Sequence, residues 1–436
     1  MAFSAERAVC TQCVGDSMLA AEMKNTGARR RCQICGMKRI GVDLRVVMER
    51  VDEVYRTFFS EGAYWGELGQ QGDYPEEIVG QLLGCDHDLA EWIVDQLASE
   101  ESRSVVHDGA GAMYDTGTKY EALEAEPWYE WSLWRQFEEH IKHERRFFGR
   151  DGLKLLSELL GDLPALVQRF QINSTIVVDP EDAEAPTVFR ARVGGGPGKA
   201  DDIYRQAPRS LGPPPLDQNV GGRMHAAGIS AFYASFSRET CTRELRPHVG
   251  EEVVSAEFRV KRPIRLLNLP AFSELEPDIS RFDPEYYGTT TRLLFLRSFH
   301  EVVSRPVFPT RELLDYVPTQ AVAEFLVSEM DVDGLVFAPA QGRYAEVDPC
   351  LRLKNNVVLF SAPFLSSDEL SHRTFGRPPG VAGEIYDLIE PPRTEPEPCL
   401  EMVPGSVEIC EVTAVHVDTQ SRLPRKWLYD ADAGDS

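Results

Sequence analysis

The sequence contains no long apolar run, since none approaches the roughly 20 residues that a helix needs to cross a bilayer. It is also poor in basic residues: 46 Lys and Arg stand against 70 Asp and Glu, which leaves a formal charge of −24. Proteins that bind nucleic acid neutralise phosphates with a basic surface, so this balance argues against that class. The N-terminal residues lack the basic and apolar segments of a signal peptide, and we expect a cytoplasmic protein.

Cysteine is scarce, at nine of 436 residues, and an odd, unevenly spaced set argues against a disulfide framework. Four of the nine form two Cys-x2-Cys pairs near the N-terminus, Cys10 with Cys13 and Cys32 with Cys35. Each pair can present two thiolates to one Zn²⁺, and two pairs complete a tetrahedral site. We predict a structural zinc ion, because four protein ligands leave no open position for catalysis. The alternative is that these four thiols are simply free or buried.

Hydrophobic patterning predicts an α+β protein in four regions. Residues 1–40 hold the cysteine pairs, and residues 41–170 repeat apolar side chains at the three- and four-residue spacing of helices. Alternating strand patterns mixed with helical ones follow over residues 186–363. Residues 364–436 are acidic and proline-rich, with one further strand pattern over 407–417, and we interpret them as a tail. The predicted fold is therefore a zinc-stabilised α-helical domain followed by a mixed α/β domain.

One pair of residues in the helical region fits a motif of a different enzyme class. Arg135 and His140 have the Arg-x4-6-His spacing of the helical HEPN ribonucleases. The spacing is short, and a helix rich in charged residues matches it easily by chance. We therefore interpret the two residues as part of a salt-bridged surface, not as a nuclease site.

The residues best suited to chemistry gather in the mixed domain. A double glycine at residues 221–222 precedes Arg223 and can present it on a turn. A strand carrying Tyr233 follows, and a short helix then reaches Glu244, while Arg190 belongs to an upstream strand. Taken singly, each residue also fits a purely structural role, as an ion pair, a core aromatic ring or an exposed helix turn. Their order along the chain is what favours a site.

The order of these motifs resembles the RES domain, a family named for its Arg, Glu and Ser. The similarity covers roughly residues 186–361, and the order and spacing of the motifs carry it rather than any single one. The matching motifs are Phe189-Arg190, Gly221-Gly222-Arg223, Phe232-Tyr233, Arg243-Glu244, Thr319-Gln320, Asp333-Gly334-Leu335 and residues 356–360. Two cysteine pairs followed by helices also look like the N-terminal extension that some RES proteins carry.

The resemblance implies a fold similar to that of ADP-ribosyltransferases and an enzyme that takes NAD⁺ as its substrate and breaks the bond between nicotinamide and ribose. It implies a hydrolase (NAD⁺ glycohydrolase) or a glycosyltransferase to phosphate (NAD⁺ phosphorylase), acting as a toxin that a partner antitoxin or regulatory protein holds in check. Two alternatives stay open: a transferase that places ADP-ribose on a protein, and a catalytically silent module that binds NAD⁺ or a partner. The oligomeric state stays open as well, a homo-oligomer included.

The chemistry of each side chain suggests its role in such a reaction. Nicotinamide leaves as a neutral molecule through a transition state that resembles an oxocarbenium ion, so Glu244 is suited to stabilise developing positive charge. Arg190 and Arg223 suit the pyrophosphate, since guanidinium is planar and always charged. Tyr233 offers an aromatic face to the cationic nicotinamide ring. We predict Glu244 and Arg190 as catalytic residues and Arg223 and Tyr233 as binding residues.

The sequence departs from the family pattern at several positions. Met224 and His225 stand where the family has an aromatic residue and an asparagine, and we assign His225 to NAD⁺ binding. The family serine falls near Thr319, whose hydroxyl we predict as its catalytic stand-in. Ala338-Pro339 stands where many members have Pro-Ser. These departures bear on activity more than on the fold.

Overall fold

A computed structural model describes most of the chain. The described residues are 8–66, 69–104, 113–144, 146, 150–182, 186–213, 220–275, 278–305, 307, 309–339, 354–360, 364–365 and 399–415. The chain divides into two compact units, the first made of residues 1–132 and 275–297 and the second of residues 133–274 and 298–436. Within the described ranges, no helix has the length and apolar composition that crossing a membrane requires.

The first unit begins with a small antiparallel sheet around the cysteine pairs. Its strands are β1 (Ala8–Cys10), β2 (Ala28–Arg31) and β3 (Lys38–Asp43), in the order β1-β3-β2. Helix α1 (Ser17–Thr26) connects β1 to β2, and the Asp16 side chain caps it by accepting the backbone N–H of Leu19 at 2.8 Å. Since β1 ends at Cys10 and the β2–β3 turn carries Cys32 and Cys35, the pairing of these strands brings the two cysteine pairs together.

The rest of the first unit is mainly helical, as the spacing of its apolar residues predicts. Its elements are α2 (Leu44–Phe58), β4 (Phe59–Glu61), α3 (Pro75–Leu83), α4 (His87–Ser104) and β5 (Tyr120–Ala122), with β4 and β5 antiparallel. On α2 one face buries Val47, Val51, Val54 and Tyr55, whereas Val46 is exposed. Full burial of such an apolar side chain contributes about 1.5–3 kcal/mol, so this stripe holds α2 in the core.

Helices α5 (Trp128–His143), α6 (Arg150–Leu160) and α7 (Leu163–Arg169) follow, and α5 carries the two residues that resemble a nuclease motif. Arg135 is exposed, but His140 is buried, with its Nδ1 2.8 Å from a carboxylate oxygen of Glu144. A Cβ placed on Gly152 would lie 3.2 Å from the His140 ring, so α6 packs closely over it. The pair with Glu144 fits our interpretation of a salt-bridged helix, but His140 itself is buried and is not part of the exposed surface.

The second unit is built on a sheet of ten described strands. They are β6 (Thr175–Val178), β7 (Val188–Val193), β8 (Ala231–Ser235), β9 (Glu252–Val260), β10 (Ile264–Asn268), β11 (Gly334–Phe337), β12 (Asn356–Phe360), β13 (Phe364–Leu365), β14 (Leu400–Met402) and β15 (Glu408–Glu411). Their order is β13-β14-β9-β7-β8-β12-β11-β10-β6, and β15 also pairs with β9. Among these described strands, β10 runs parallel to β11 and β13 to β14, and the other pairs are antiparallel.

The remaining helices complete a mixed α and β architecture, which confirms the predicted α+β class. They are α8 (Lys199–Arg205), α9 (Ala207–Leu211), α10 (Arg238–Glu244), α11 (Tyr286–Ser304), α12 (Glu312–Asp315) and α13 (Val317–Met330). The core of the second unit lies on the sheet, where Phe232, Phe258, Leu266, Val336 and Val357 are fully buried. These residues fix the strands from which the candidate site is built.

The strand patterns of the mixed domain correspond to observed elements. The predicted strands match β7, β8, β9, β11 and β12, whereas the patterns gave no indication of β6, β10, β13 or β14. Within the predicted tail, residues 399–415 are described, and they contribute β14 and β15 to the sheet. The strand predicted over 407–417 corresponds to β15. The domain boundaries drawn from the sequence stay a prediction.

Candidate active site

One cavity of about 530 Å³ in the second unit collects most of the predicted site residues. Its lining residues are Arg190, Arg192, Val220, Gly221, Gly222, Arg223, His225, Ala231, Tyr233, Glu244, Arg246, Glu312, Tyr316 and Phe337. Five of the six predicted residues outside the zinc cluster are in this set. The cavity lies in the size range of small-molecule sites in proteins, about 300–1,000 Å³.

Four arginines give this cavity its electrostatic character: Arg190, Arg192, Arg223 and Arg246. Across the described part of the chain, none of the four forms an ion pair with a carboxylate. The cavity therefore concentrates positive charge in a chain whose formal charge is −24. Two carboxylates, Glu244 and Glu312, also line the cavity, so positive charge is in excess there. An excess of one sign of charge raises the local concentration of ligands of the opposite sign, so this cavity is suited to an anion.

A tight glycine turn forms one wall of the cavity. The backbone N–H of Gly222 donates to the carbonyl of His225 at 3.0 Å, and Gly221 adopts φ of +85°, a region that favours glycine. A Cβ placed on Gly222 would lie 2.9 Å from Cε1 of His225 and 3.1 Å from the hydroxyl oxygen of Tyr233. The absence of a side chain at residue 222 therefore allows the His225 ring and the Tyr233 hydroxyl to pack against the turn.

The Tyr233 hydroxyl joins strand β8 to this turn. Its oxygen accepts the backbone N–H of Met224 at 2.9 Å and lies 3.0 Å from Nδ1 of His225. Burial lowers the pKa of His225, and the positive charge of Arg190 lowers it further, so the ring is neutral at pH 7. Burial also raises the pKa of Tyr233, which keeps its proton. The consistent arrangement is that Tyr233 donates its O–H to an unprotonated Nδ1 of His225.

Arg190 is the most confined of the four arginines. It extends from β7 with its guanidinium carbon 4.8 Å from the ring centroid of Phe232, a cation–π contact. Its Nη1 atom is buried and has no hydrogen-bond partner among the described residues. Burial lowers the pKa of Arg190 to about 10, with a smaller contribution from Arg192, so the side chain is still charged at pH 7. A buried charged donor without a partner is costly, and an anionic ligand in the cavity would supply the acceptor.

Glu244 supplies a carboxylate to the lining of the same cavity. Helix α10 begins where the Ser237 hydroxyl accepts the backbone N–H of Thr240 at 3.1 Å, and it ends at the half-buried Glu244. Beneath it, burial raises the pKa of the Cys241 thiol to about 12, with Arg190 lowering it and Glu244 raising it. Both Arg190 and Glu244 therefore act on the same buried thiol, which places a cation and an anion close together at the cavity wall.

Thr319 lies behind the glycine turn and does not line the cavity. Its side chain is buried, and its hydroxyl donates to the carbonyl of Arg223 at 2.6 Å, with the carbonyl of Tyr316 at 3.0 Å. The neighbouring Gln320 donates its side-chain N–H to the carbonyl of Gly222 at 2.7 Å. Thr319 therefore contacts the backbone of the turn and not the cavity, whereas the other five predicted residues line the cavity.

Sequence reasoning assigned no role to Arg192, Arg246, Glu312 or Tyr316, all of which line the cavity. Arg192 follows Arg190 by two residues on a strand, so the two-residue period of strands already placed it on the same face. Tyr316 lies under Arg223, whose guanidinium carbon is 5.8 Å from its ring centroid. The positions of Glu312 and Tyr316 depend on how α12 and α13 pack, which no local pattern reveals.

The four N-terminal cysteines form a separate cluster in the first unit. Their Sγ atoms all lie within 4.8 Å of one another, and three of the pairs, Cys10–Cys13, Cys10–Cys35 and Cys13–Cys32, measure 3.7, 3.7 and 3.8 Å. A tetrahedral zinc with Zn–S bonds of about 2.3 Å requires sulfur atoms about 3.8 Å apart. The cluster therefore has the donor set and the spacing to bind one metal ion.

Comparison with known protein families identifies one domain within the chain. The sequence model of the RES domain matches residues 197–376, which confirms the resemblance drawn from the motifs. The match contains the glycine turn, Tyr233, Glu244 and Thr319, and it begins after Arg190. No curated protein and no solved structure matches the chain.

Proposed function

Since residues 197–376 carry a RES domain, we propose that its cavity binds NAD⁺ and that the protein cleaves the bond between nicotinamide and ribose. The observation that carries this proposal is the set of four cavity arginines without carboxylate partners in the described structure, with Glu244 on the same wall. The RES domain supports a function related to NAD⁺ and to toxins. The specific reaction, a glycohydrolase or phosphorylase acting as a toxin, is the finer part of the proposal.

The arginines suit the pyrophosphate of the dinucleotide. Pyrophosphate carries two negative charges and several acceptor oxygens, and guanidinium groups bind such groups through charge-assisted hydrogen bonds. Arg190 is the strongest candidate for this contact, because its buried Nη1 atom lacks an acceptor among the described residues. Arg223 is the second candidate, since it lines the cavity on the glycine turn. Once the pyrophosphate is bound, the cost of burying the Arg190 charge is offset.

Glu244 suits the carbon at which the reaction takes place. The ribose carbon gains positive charge as nicotinamide departs, and a nearby carboxylate stabilises that charge in the transition state. Nicotinamide leaves as a neutral molecule, so the reaction needs no general acid. This matches a site in which Tyr233 keeps its proton and His225 is neutral.

Tyr233 and His225 are proposed to bind the nicotinamide half of the substrate. An aromatic face attracts a cationic ring, and Tyr233 lines the cavity while its hydroxyl is held by the turn. A neutral His225 adds no positive charge beside that cationic ring. Thr319, predicted from the sequence as a catalytic hydroxyl, donates to the backbone of the turn, so its contribution would be indirect.

The ADP-ribosyltransferase-like fold, the structural zinc and an antitoxin partner belong to the same proposal. The RES match supports the fold and the antitoxin partner by family association. The spacing of the sulfur atoms in the cysteine cluster supports the structural zinc. The cavity is bounded by residues of one unit alone, so NAD⁺ binding by itself requires no second chain.

The test is to incubate the purified full-length protein with NAD⁺, with and without phosphate, and to identify the products by mass spectrometry. Free ADP-ribose indicates hydrolysis, ADP-ribose 1″-phosphate indicates phosphorolysis, and a mass gain on protein indicates transfer. We expect nicotinamide to be released with one of the first two products. Binding of NAD⁺ without release of nicotinamide would contradict the proposed reaction and favour a silent binding module.

A further inference from the structure

The glycine turn is held from behind by two consecutive residues of one helix. At the start of α13, the Thr319 hydroxyl donates to the carbonyl of Arg223 at 2.6 Å, and the Gln320 amide donates to the carbonyl of Gly222 at 2.7 Å. The two acceptors are consecutive carbonyls of the turn that presents Arg223 to the cavity. Two neighbouring side chains of one helix therefore donate to two neighbouring carbonyls of the turn.

These contacts supply hydrogen-bond donors to backbone carbonyls of the turn. Backbone carbonyls removed from water require donors. Within the turn, the N–H of Gly222 pairs with the carbonyl of His225, and the Tyr233 hydroxyl accepts the N–H of Met224. The carbonyls of Gly222 and Arg223 accept side-chain donors from outside the turn, and both of those side chains come from α13.

We infer that Gln320 and Thr319 are positioning residues that lock the glycine turn in the conformation that directs Arg223 and the Tyr233–His225 pair into the cavity. Neither residue lines the cavity, so neither touches a ligand there. The part of the inference that concerns NAD⁺ rests on the proposed function. The part that concerns the turn's conformation stands on the hydrogen bonds alone.

A purely structural role in folding α13 does not explain the pair. The helix is anchored in the core by other residues, with Val322, Ala323 and Leu326 all buried on it. Removal of the Gln320 amide group leaves that apolar contact intact. We therefore expect the loss to act on the turn and not on the helix as a whole.

The test compares hydrogen–deuterium exchange of the ligand-free protein in peptides that cover residues 220–228. Gln320→Met keeps the length of the side chain but removes its donor, and Thr319→Val keeps the shape but removes the hydroxyl. We expect each to speed exchange of the Gly222 and Met224 amides about 3- to 10-fold, the size of one lost net hydrogen bond. Thr319→Ser, which keeps the hydroxyl, should exchange as the wild type does, and so should Glu324→Gln, an exposed change on the same helix.

A second arm measures NAD⁺ cleavage by the same variants. If the turn positions Arg223, then Gln320→Met and Thr319→Val should lower kcat/KM by a similar factor, and Thr319→Ser should restore it. Unchanged exchange over residues 220–228 would overturn the inference, and so would a rise shared equally by peptides from β11 and β12. If the wild type shows no NAD⁺ cleavage at all, the proposed function fails, but the exchange arm still decides the role of the pair.

Discussion

Two sites in this protein each bring together several side chains of one type: the cysteine cluster of the first unit and the arginines of the cavity in the second. The two sites differ in how far apart their residues lie along the sequence. Cys10, Cys13, Cys32 and Cys35 come from two short turns joined by one small sheet, so their spacing along the chain nearly determines the site. The arginines come from strand β7, the glycine turn and the residue position just after α10. Their convergence depends on the register of a sheet.

The two clusters also differ in how they tolerate their own charge. A thiol side chain can exist with or without its proton, and a bound metal ion takes the place of the thiol proton. Arginine does not lose its charge near neutral pH, so Arg190, Arg192, Arg223 and Arg246 keep theirs together. If the first cluster binds a metal ion as we predict, the binding energy contributes to folding, whereas an anionic ligand would offset the electrostatic cost of the second.

The largest expected effect concerns the cysteine cluster. Metal analysis of the purified protein should return about one zinc per chain, and Cys13→Ser or Cys32→Ser should abolish it. The binding energy of a structural zinc is folding energy, so we expect the first unit to lose more than about 4 kcal/mol of unfolding free energy, measured by denaturant titration. Cys410→Ser, an exposed cysteine outside the cluster, should change neither quantity. A metal-free protein that is fully folded would contradict this prediction.

The second largest effect concerns the carboxylate of the cavity. If Glu244 stabilises charge that exists only in the transition state, Glu244→Gln should lower kcat about 10²–10³-fold and leave NAD⁺ affinity nearly unchanged. Affinity is measured by calorimetry and kcat by nicotinamide release. Glu239→Gln, an exposed carboxylate on the same helix, is the matched control and should have no effect. Near-normal cleavage by Glu244→Gln would show that the assignment of the site is wrong.

The sequence predicts one of these two clusters better than the other, because one depends on local spacing and the other on the pairing of distant strands. The cysteine site could be predicted outright, because a two-residue gap between ligands is a local constraint. The residues of the cavity could be proposed only through the resemblance to a family, since nothing local relates Arg190 on β7 to Glu244 after β8. The structure brings them together because β7 and β8 pair in the sheet and α10 follows β8 directly.

The parts that could not be predicted depend on long-range packing. Thr319 was predicted as a catalytic hydroxyl from its place in a motif. A motif does not reveal where a side chain points, and the Thr319 hydroxyl donates to the backbone carbonyl of Arg223. Strand β14 has only three residues, Leu400–Met402, and follows a long stretch rich in proline. So short a segment carries no readable alternation, and it becomes a strand only because β9 offers it an edge.

The third prediction contrasts stability with binding at Arg190. The side chain keeps a buried, unpartnered Nη1 atom, so Arg190→Met should weaken NAD⁺ binding about 10- to 100-fold, the loss expected for hydrogen bonds from a charged donor. The same change removes an uncompensated buried charge, so the free energy of unfolding should stay the same or rise. Calorimetry measures the binding of NAD⁺, and denaturant titration measures the free energy of unfolding.

Arg192→Met, at the exposed neighbouring arginine, is the control and should weaken binding less and leave stability unchanged. Loss of stability together with binding would mean that Arg190 is a structural residue.

The smallest expected effect is a shift in one titration. Burial and the charge of Arg190 lower the pKa of His225, so in the folded protein this ring should take up its proton at a lower pH than an ordinary histidine does. Between the ordinary pKa of histidine and the lowered pKa of His225, the unfolded chain binds more protons than the folded protein does. Stability is therefore lost as the pH falls through that range, and it is fully present above it. NMR titration of the histidine ring protons, with the His225 signal assigned by His225→Asn, measures its midpoint directly in the folded protein. His225→Asn should also reduce the loss of stability between pH 7 and pH 5, because asparagine can accept the Tyr233 hydroxyl without titrating. A His225 midpoint at or above the ordinary histidine value of about 6.5 would contradict this prediction, because the ring would then carry a positive charge beside the cavity arginines.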